Sequence, residues 1–260
     1  MDRQISGKNC VKFLIYSLKS LKKLVLDSLF PISCLGCGRE DFWLCLDCQK
    51  KIKGLPAQVC PVCEKEITLS GTLCGYCRRE RKGSLDLMLV TASYEIPAVK
   101  RLIYNLKYRF ITDSAVPLAE LMRKSGLSND LTLPDALVPV PLHSRRLRWR
   151  GFNQSRLLAE KLSETLAPPL LIPVWDALRR KKLRQPQMEI KNYQERLQNV
   201  KGIFAVHENC ARDLEGKTIL LVDDIATTGA TLQECARVLK ENGVKKVMAI
   251  VIARQTIKSS

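Results

Sequence analysis

Eight of the chain's eleven cysteines fall between Cys34 and Cys77 as four C-x-x-C pairs: Cys34/Cys37, Cys45/Cys48, Cys60/Cys63 and Cys74/Cys77. Apolar residues in this stretch are too sparse to build a core from side chains alone. A C-x-x-C turn aims two thiolates at one point, and two such turns complete the tetrahedral shell of a structural zinc ion. Eight ligands make two shells. Seven residues separate the first two pairs and ten separate the last two, loops just long enough to return. The first pair is therefore expected to share a zinc with the second, and the third with the fourth; a crossed arrangement, first with third, is the alternative. Iron–sulfur ligation and redox dithiols are the competing uses of such pairs. A catalytic zinc is disfavoured, because four thiolates close the shell and no His lies in the segment. Gly36, Gly38 and Gly75 stand where such turns are expected to need positive φ. Cys10, Cys210 and Cys235 lie outside the set, and Cys235 falls in an apolar helical pattern that predicts core.

An odd cysteine total and a polar start, MDRQISGKNC, speak against a disulfide framework and a cleaved signal, and predict a reducing, cytoplasmic setting. The apolar positions Val11, Leu14, Ile15, Leu18, Leu21, Val25 and Leu29 recur at helical spacing, and Pro31 ends the run. Lys12, Lys19, Lys22, Lys23 and Asp27 exclude a comfortable membrane span. The expected amphipathic helix either packs on its own protein or, with Lys8 added to its lysines, rests weakly on a membrane surface or a partner. The formal charge is +17 over 260 residues; eight thiolates and two Zn²⁺ would bring it to +13. Such an excess attracts polyanions: nucleic acid, anionic lipid or phosphorylated small molecules.

From about Gly83 short β-rich runs alternate with helical patterns. LDLMLVTASYE is followed by a helix through KRLIYNLKY and AVPLAELMRKS, then ALVPVPL, a helix around NQSRLLAEKLSETL, TILLVDDI, a helix in TLQECARVLKENG, and VMAIVIA. That alternation predicts a mostly parallel sheet covered by helices on both faces.

Thr218 to Leu232 reads TILLVDDIATTGATL. An apolar strand, Ile219 to Val222, delivers Asp223 and Asp224 at its carboxyl end. A small-residue loop follows, Ala226-Thr227-Thr228-Gly229-Ala230-Thr231, and then a helix. Backbone N–H groups and the positive helix end suit one phosphate group there. The acidic pair would repel that phosphate and so must serve neighbouring hydroxyls or a metal; a sugar phosphate satisfies both. This stretch resembles the phosphoribosyl pyrophosphate (PRPP) motif of type I phosphoribosyltransferases. The resemblance implies that Ala226 to Thr231 hold the 5-phosphate, and that Asp223 and Asp224, the implied catalytic pair, hold the ribose hydroxyls and order Mg²⁺.

Downstream of ALVPVPL, Arg145, Arg146, Arg148 and Arg150 form a basic stretch at the carboxyl end of a predicted strand, where open α/β sheets bind ligands. Guanidinium forks match phosphate oxygens. Either the stretch is a solvated basic loop, or Arg145, Arg146 and Arg150 bind pyrophosphate. Arg179 to Arg184 holds five basic residues in six. It is expected to be a mobile loop closing over PRPP, a plain surface charge run, or a single-stranded nucleic-acid track with Trp149, Phe152, Trp175 and Tyr193 as stacking platforms.

VPVPL followed by RGFNQ is similar to the ComF/GntX (competence protein F) family of phosphoribosyltransferase-like proteins. LDSLFPISCLGCG resembles that family's zinc-ribbon start and LKYRF, with Lys107, its early helix motif. RQPQMEIKNYQERLQNVKGIF, with Arg196 and Asn199, resembles its Gln-rich loop. The likeness runs from Asp27 onward. It implies an amphipathic helix over 1–30, a double zinc ribbon over 31–82, and over 83–260 an α/β domain of type I phosphoribosyltransferase fold, Rossmann-like. The implied function is binding of PRPP with Mg²⁺, Lys107 joining the pyrophosphate cations, and transfer to an unidentified acceptor, associated with DNA uptake. The alternative is a non-catalytic protein that contacts single-stranded DNA or a competence helicase and keeps the phosphate loop as a ligand site.

Overall fold

A computed structural model describes residues 32–55, 57–80, 82–129, 131–181 and 200–255. The expected helix over 1–30, Cys10, Lys182 to Arg184, Tyr193, Arg196 and Asn199 lie outside the described residues.

The Cys-rich part is built from turns. The helix α1, Leu46–Lys51, carries Cys48 and is preceded by Cys45 at its cap. A two-stranded antiparallel hairpin, β1 Gln58–Val59 and β2 Ile67–Thr68, brackets Cys60 and Cys63. The helix α2, Gly75–Arg79, carries Cys77 and is capped by the Cys74 sulfur, which accepts from the Cys77 N–H. Of the three glycines expected at positive φ, only Gly38 adopts it (φ +79°). Gly36 answers to space instead: a Cβ there would lie 2.7 Å from Cys48 Sγ. Gly75 simply opens α2.

The rest alternates strand and helix: β3 Leu87–Ser93, α3 Pro97–Tyr108, α4 Ala115–Ser128, β4 Ala136–Pro139, α5 Ser144–Arg150, α6 Gln154–Leu166, β5 Leu178–Arg180, β6 Phe204–Val206, β7 Thr218–Ala226, α7 Ala230–Glu241 and β8 Lys246–Arg254. Four of these strands form one parallel sheet in the order β3-β8-β7-β4. β5 and β6 pair separately and antiparallel. A parallel sheet buried on both faces needs apolar residues of both parities, and β7 supplies them: Leu220 and Val222 pack with α3, α4 and α6, while Ile219 and Leu221 pack with α7 and β6.

Four expectations are corrected. The single helix through KRLIYNLKY and AVPLAELMRKS is two, because Phe110 takes φ +57° and Pro117 is tolerated only near a helix start. The basic stretch after ALVPVPL is not a loop but α5: His143 caps it by accepting the Arg145 N–H at 3.1 Å, and Gly151 at φ +81° ends it. β7 extends four residues past Val222, since β8 continues to pair with it as far as Ala226. Arg179 and Arg180 lie in a strand, not a mobile loop, because β6 pairs with them. Around the first Cys-rich turn, Cys34, Leu44, Cys45 and Cys48 join the main core.

Candidate functional site

The carboxyl ends of β4 and β7 open onto a cavity of ≈ 920 Å³. β7 brings Asp223 and Asp224 to it. The chain then turns through Thr227-Thr228-Gly229, with Gly229 at φ +66° as the residue before α7. That left-handed conformation suits glycine, and no atom lies within 4 Å of where a Cβ would stand. Gly229 has no side chain with which to cap the first turn of α7, and the positive end of the helix dipole lies at this loop. Thr228 Oγ1 accepts weakly from the Ala230 N–H at 3.4 Å.

Thr227 and Thr231 line the cavity, together with Lys107, Arg145, Arg146 and Arg150. Ala226, Thr228, Gly229 and Ala230 form the loop's buried backbone and do not line it. Residues from α3, α5 and β7 therefore meet in one space. Six cations, Lys100, Lys107, Arg145, Arg146, Arg150 and Arg180, surround two carboxylates, an arrangement suited to a ligand with several negative charges and a few hydroxyls.

The two carboxylates differ. Ser155 Oγ donates to Asp223 Oδ1 at 2.7 Å, and the Asp224 N–H donates to the same oxygen at 2.9 Å. Burial, and then the adjacent Asp224 charge, push the Asp223 carboxyl up to about 7. Asp224 is buried and pairs with Lys107 Nζ at 2.9 Å, while its Oδ2 is buried with no hydrogen bond among the described residues. Arg150 is buried, donates to Gln154 Oε1, and has its pKa lowered by burial. Burial also lowers that of Arg180.

Sequence reasoning missed Lys100, Tyr104, Tyr108, Gln154, Ser155 and Gln255 in the cavity wall. The two tyrosines stand four apart on α3, a spacing visible in the sequence but carrying no function by itself. With Phe110 and Trp149 they form an exposed aromatic shelf: ring centroids are 5.1 Å apart for Tyr104–Tyr108, 6.4 Å for Tyr108–Trp149 and 5.0 Å for Phe110–Trp149. Phe152 packs against Phe110, whereas Trp175 packs against the core on the other side of the sheet.

The cysteines gather sequentially, not crossed: Cys34, Cys37, Cys45 and Cys48 in one group, Cys60, Cys63, Cys74 and Cys77 in the other, each with all sulfurs within 4.8 Å of one another. Cys37 Sγ and Cys45 Sγ are 3.7 Å apart, and Cys63 Sγ and Cys74 Sγ 3.8 Å. A tetrahedron with Zn–S bonds of about 2.3 Å has edges of about 3.8 Å, whereas a disulfide is about 2.05 Å. Backbone N–H groups of Gly36, Cys45 and Cys77 point at cysteine sulfurs, as thiolates require. Both groups could hold zinc.

The phosphoribosyl transferase domain family matches residues 154–259. Competence protein F of Haemophilus influenzae is 34% identical over 219 residues, covering 81% of this chain and 90% of that protein. DNA utilization protein YhgH of Escherichia coli K12 is 33% identical over 202 residues, covering 75% and 84%. Competence protein ComFC of Bacillus subtilis is 30% identical over 210 residues, covering 79% and 81%. No helix among the described residues is long and apolar enough to cross a membrane.

Proposed function

Because the chain belongs to the family of competence protein F, with a type I phosphoribosyltransferase fold preceded by two Cys₄ groups, we propose that it binds PRPP with Mg²⁺ in the ≈ 920 Å³ cavity and transfers the phosphoribosyl group to an acceptor. The observation that carries this is the meeting of six cations, two carboxylates and the threonine loop in one space.

The 5-phosphate sits against Thr227 and Thr231, with the backbone turn at Thr228 and Gly229 beneath it. The ribose hydroxyls donate to Asp223 and Asp224, and Arg145, Arg146, Arg150, Arg180 and Lys107 meet the pyrophosphate. As the C1–oxygen bond breaks, charge leaves the ribose and gathers on pyrophosphate oxygens, and fixed guanidinium groups stabilise it there. The unpartnered Asp224 Oδ2 suits Asp223 and Asp224 to holding Mg²⁺, which when bound neutralises part of the same charge. Two zinc ions in the Cys₄ groups take no part in the chemistry. Calorimetric titration with PRPP and Mg²⁺ tests the reading. The parent protein should bind, and folded Gly229→Val should bind at least about tenfold more weakly, since a β-branched side chain is strained at φ +66° and intrudes where the phosphate lies. Equal affinities would defeat it.

The aromatic shelf beside the cavity favours a second reading, in which single-stranded DNA stacks bases on Tyr104, Tyr108 and Trp149 while the arginines of α5 meet its phosphates.

A further inference from the structure

Both ends of the phosphate loop are tied to the second Cys₄ group. Behind the loop, Gln233 lies one turn into α7, its own N–H donating to the Gly229 carbonyl at 2.9 Å. Its side chain reaches back: Oε1 accepts from the Ser84 N–H at 2.9 Å and the Leu85 N–H at 3.3 Å, and Nε2 donates to the Pro61 carbonyl at 3.0 Å. Pro61 lies inside the Cys60–Cys63 turn. Ahead of the loop, Ala226 pairs with Arg254 of β8, and the Arg254 guanidinium forms an ion pair with the carboxylate of Glu64, the residue after Cys63. The backbone at Gly83 approaches too closely for any side chain, since a Cβ there would stand 2.3 Å from Val62 and 3.0 Å from Gln233 Oε1. The group is itself seated on the sheet: the Gln58 amide exchanges two 3.0 Å hydrogen bonds with the backbone of Val90 on the edge strand β3. The first Cys₄ group is held elsewhere, by Arg101 on the Leu35 carbonyl and Lys124 on Gln49.

We infer that Gln233 is a positioning residue through which the second Cys₄ group sets the geometry of the phosphate loop, so that zinc at Cys60, Cys63, Cys74 and Cys77 and a sugar phosphate at the loop bind cooperatively. This rests on the phosphoribosyl reading of the loop. Coupling is reciprocal: the factor by which zinc tightens the phosphate is the factor by which the phosphate tightens zinc.

The test is chelator competition on the full chain, with and without saturating ribose 5-phosphate. One of two zinc ions should become about fivefold harder to extract, the other unchanged. Gln233→Ala should keep two zinc ions, lose the protection, and bind ribose 5-phosphate more weakly by the same factor. Gln233→Glu keeps the acceptor side and the helix but cannot donate to Pro61, so its protection should fall as well. Protection that survives in folded Gln233→Glu removes Gln233 from the role. If ribose 5-phosphate binds the parent protein and protects neither zinc, the coupling is overturned while the phosphate reading stands. If neither it nor PRPP binds, the phosphate reading falls and takes the coupling with it.

Discussion

Asp223 and Asp224 are adjacent in sequence, yet one meets a serine hydroxyl and the other a lysine. Lys107 keeps Asp224 compensated, whereas burial and its neighbour's charge hold the Asp223 carboxyl at about 7 against an ordinary value of 3.8. A carboxyl whose pKa rises on folding favours the folded state most when protonated in both states. That contribution is fully present below about pH 4 and is lost as pH climbs through 7. Asp223→Asn should therefore raise the melting temperature at pH 8, by about 2 °C or more for a gain of about 1 kcal/mol, and change it little near pH 4. A lower melting temperature at pH 8 would contradict the assignment. The same variant should weaken ribose 5-phosphate binding, as expected where a site is kept at the expense of stability. For the parent protein, affinity should rise between pH 6 and 8 as Asp223 ionises.

Among the elements, the two Cys₄ groups differ in what they support. Cys34, Cys45 and Cys48 are part of the main core with Leu102, Leu118 and Leu158, while Cys60, Cys74 and Cys77 form a small cluster of their own. Both should load, giving two zinc per chain by metal analysis. Cys34→Ser should cost more thermal stability than Cys60→Ser, although each loses one zinc, because metal binding there is folding energy and only the first group shares the large core. Gly36→Ala should also reduce the zinc count towards one, since its Cβ would stand 2.7 Å from Cys48 Sγ. Two zinc ions in that variant would show that the turn can relax. On the shelf, Trp149→Ala should weaken single-stranded DNA binding about tenfold, within the range for one stacked base, and leave ribose 5-phosphate affinity in place. An unchanged DNA affinity would remove Trp149 from the nucleic-acid reading.

At the scale of the whole molecule, the excess of positive charge is not spread evenly. Lys100, Lys107, Arg145, Arg146, Arg150 and Arg180 share one cavity, and Arg145 and Arg148 are exposed on α5 beside the shelf. If single strands cross that face, replacing Arg145, Arg146 and Arg148 with Ala should reduce the slope of log affinity against log salt by about 2, given about 0.7 counterion released per phosphate neutralised on a single strand. A slope that does not move would place the DNA contact elsewhere.

How much was legible in the sequence follows from the range of each interaction. The cysteine turns, the strand–loop–helix turn after Asp224 and the strand–helix alternation are local patterns: a C-x-x-C turn, a glycine before a helix and apolar residues of both parities declare themselves within a few residues. The family resemblance extended that reading to a fold. Some misses were local, the break at Phe110 and the capped helix α5; others arose where a neighbour distant in the chain decided the outcome. β8 prolonged β7 through Ala226, β6 drew Arg179 and Arg180 into a strand, and Cys48 rather than φ fixed Gly36. Lys107 was legible as a cation but not as the partner of Asp224. The shelf joins Tyr104, Tyr108 and Phe110 to Trp149, and Gln233 reaches Pro61 across the fold. The residue types and the local turns are written in the sequence, while their pairing belongs to the tertiary structure, because burial against partners far away in the chain selects it.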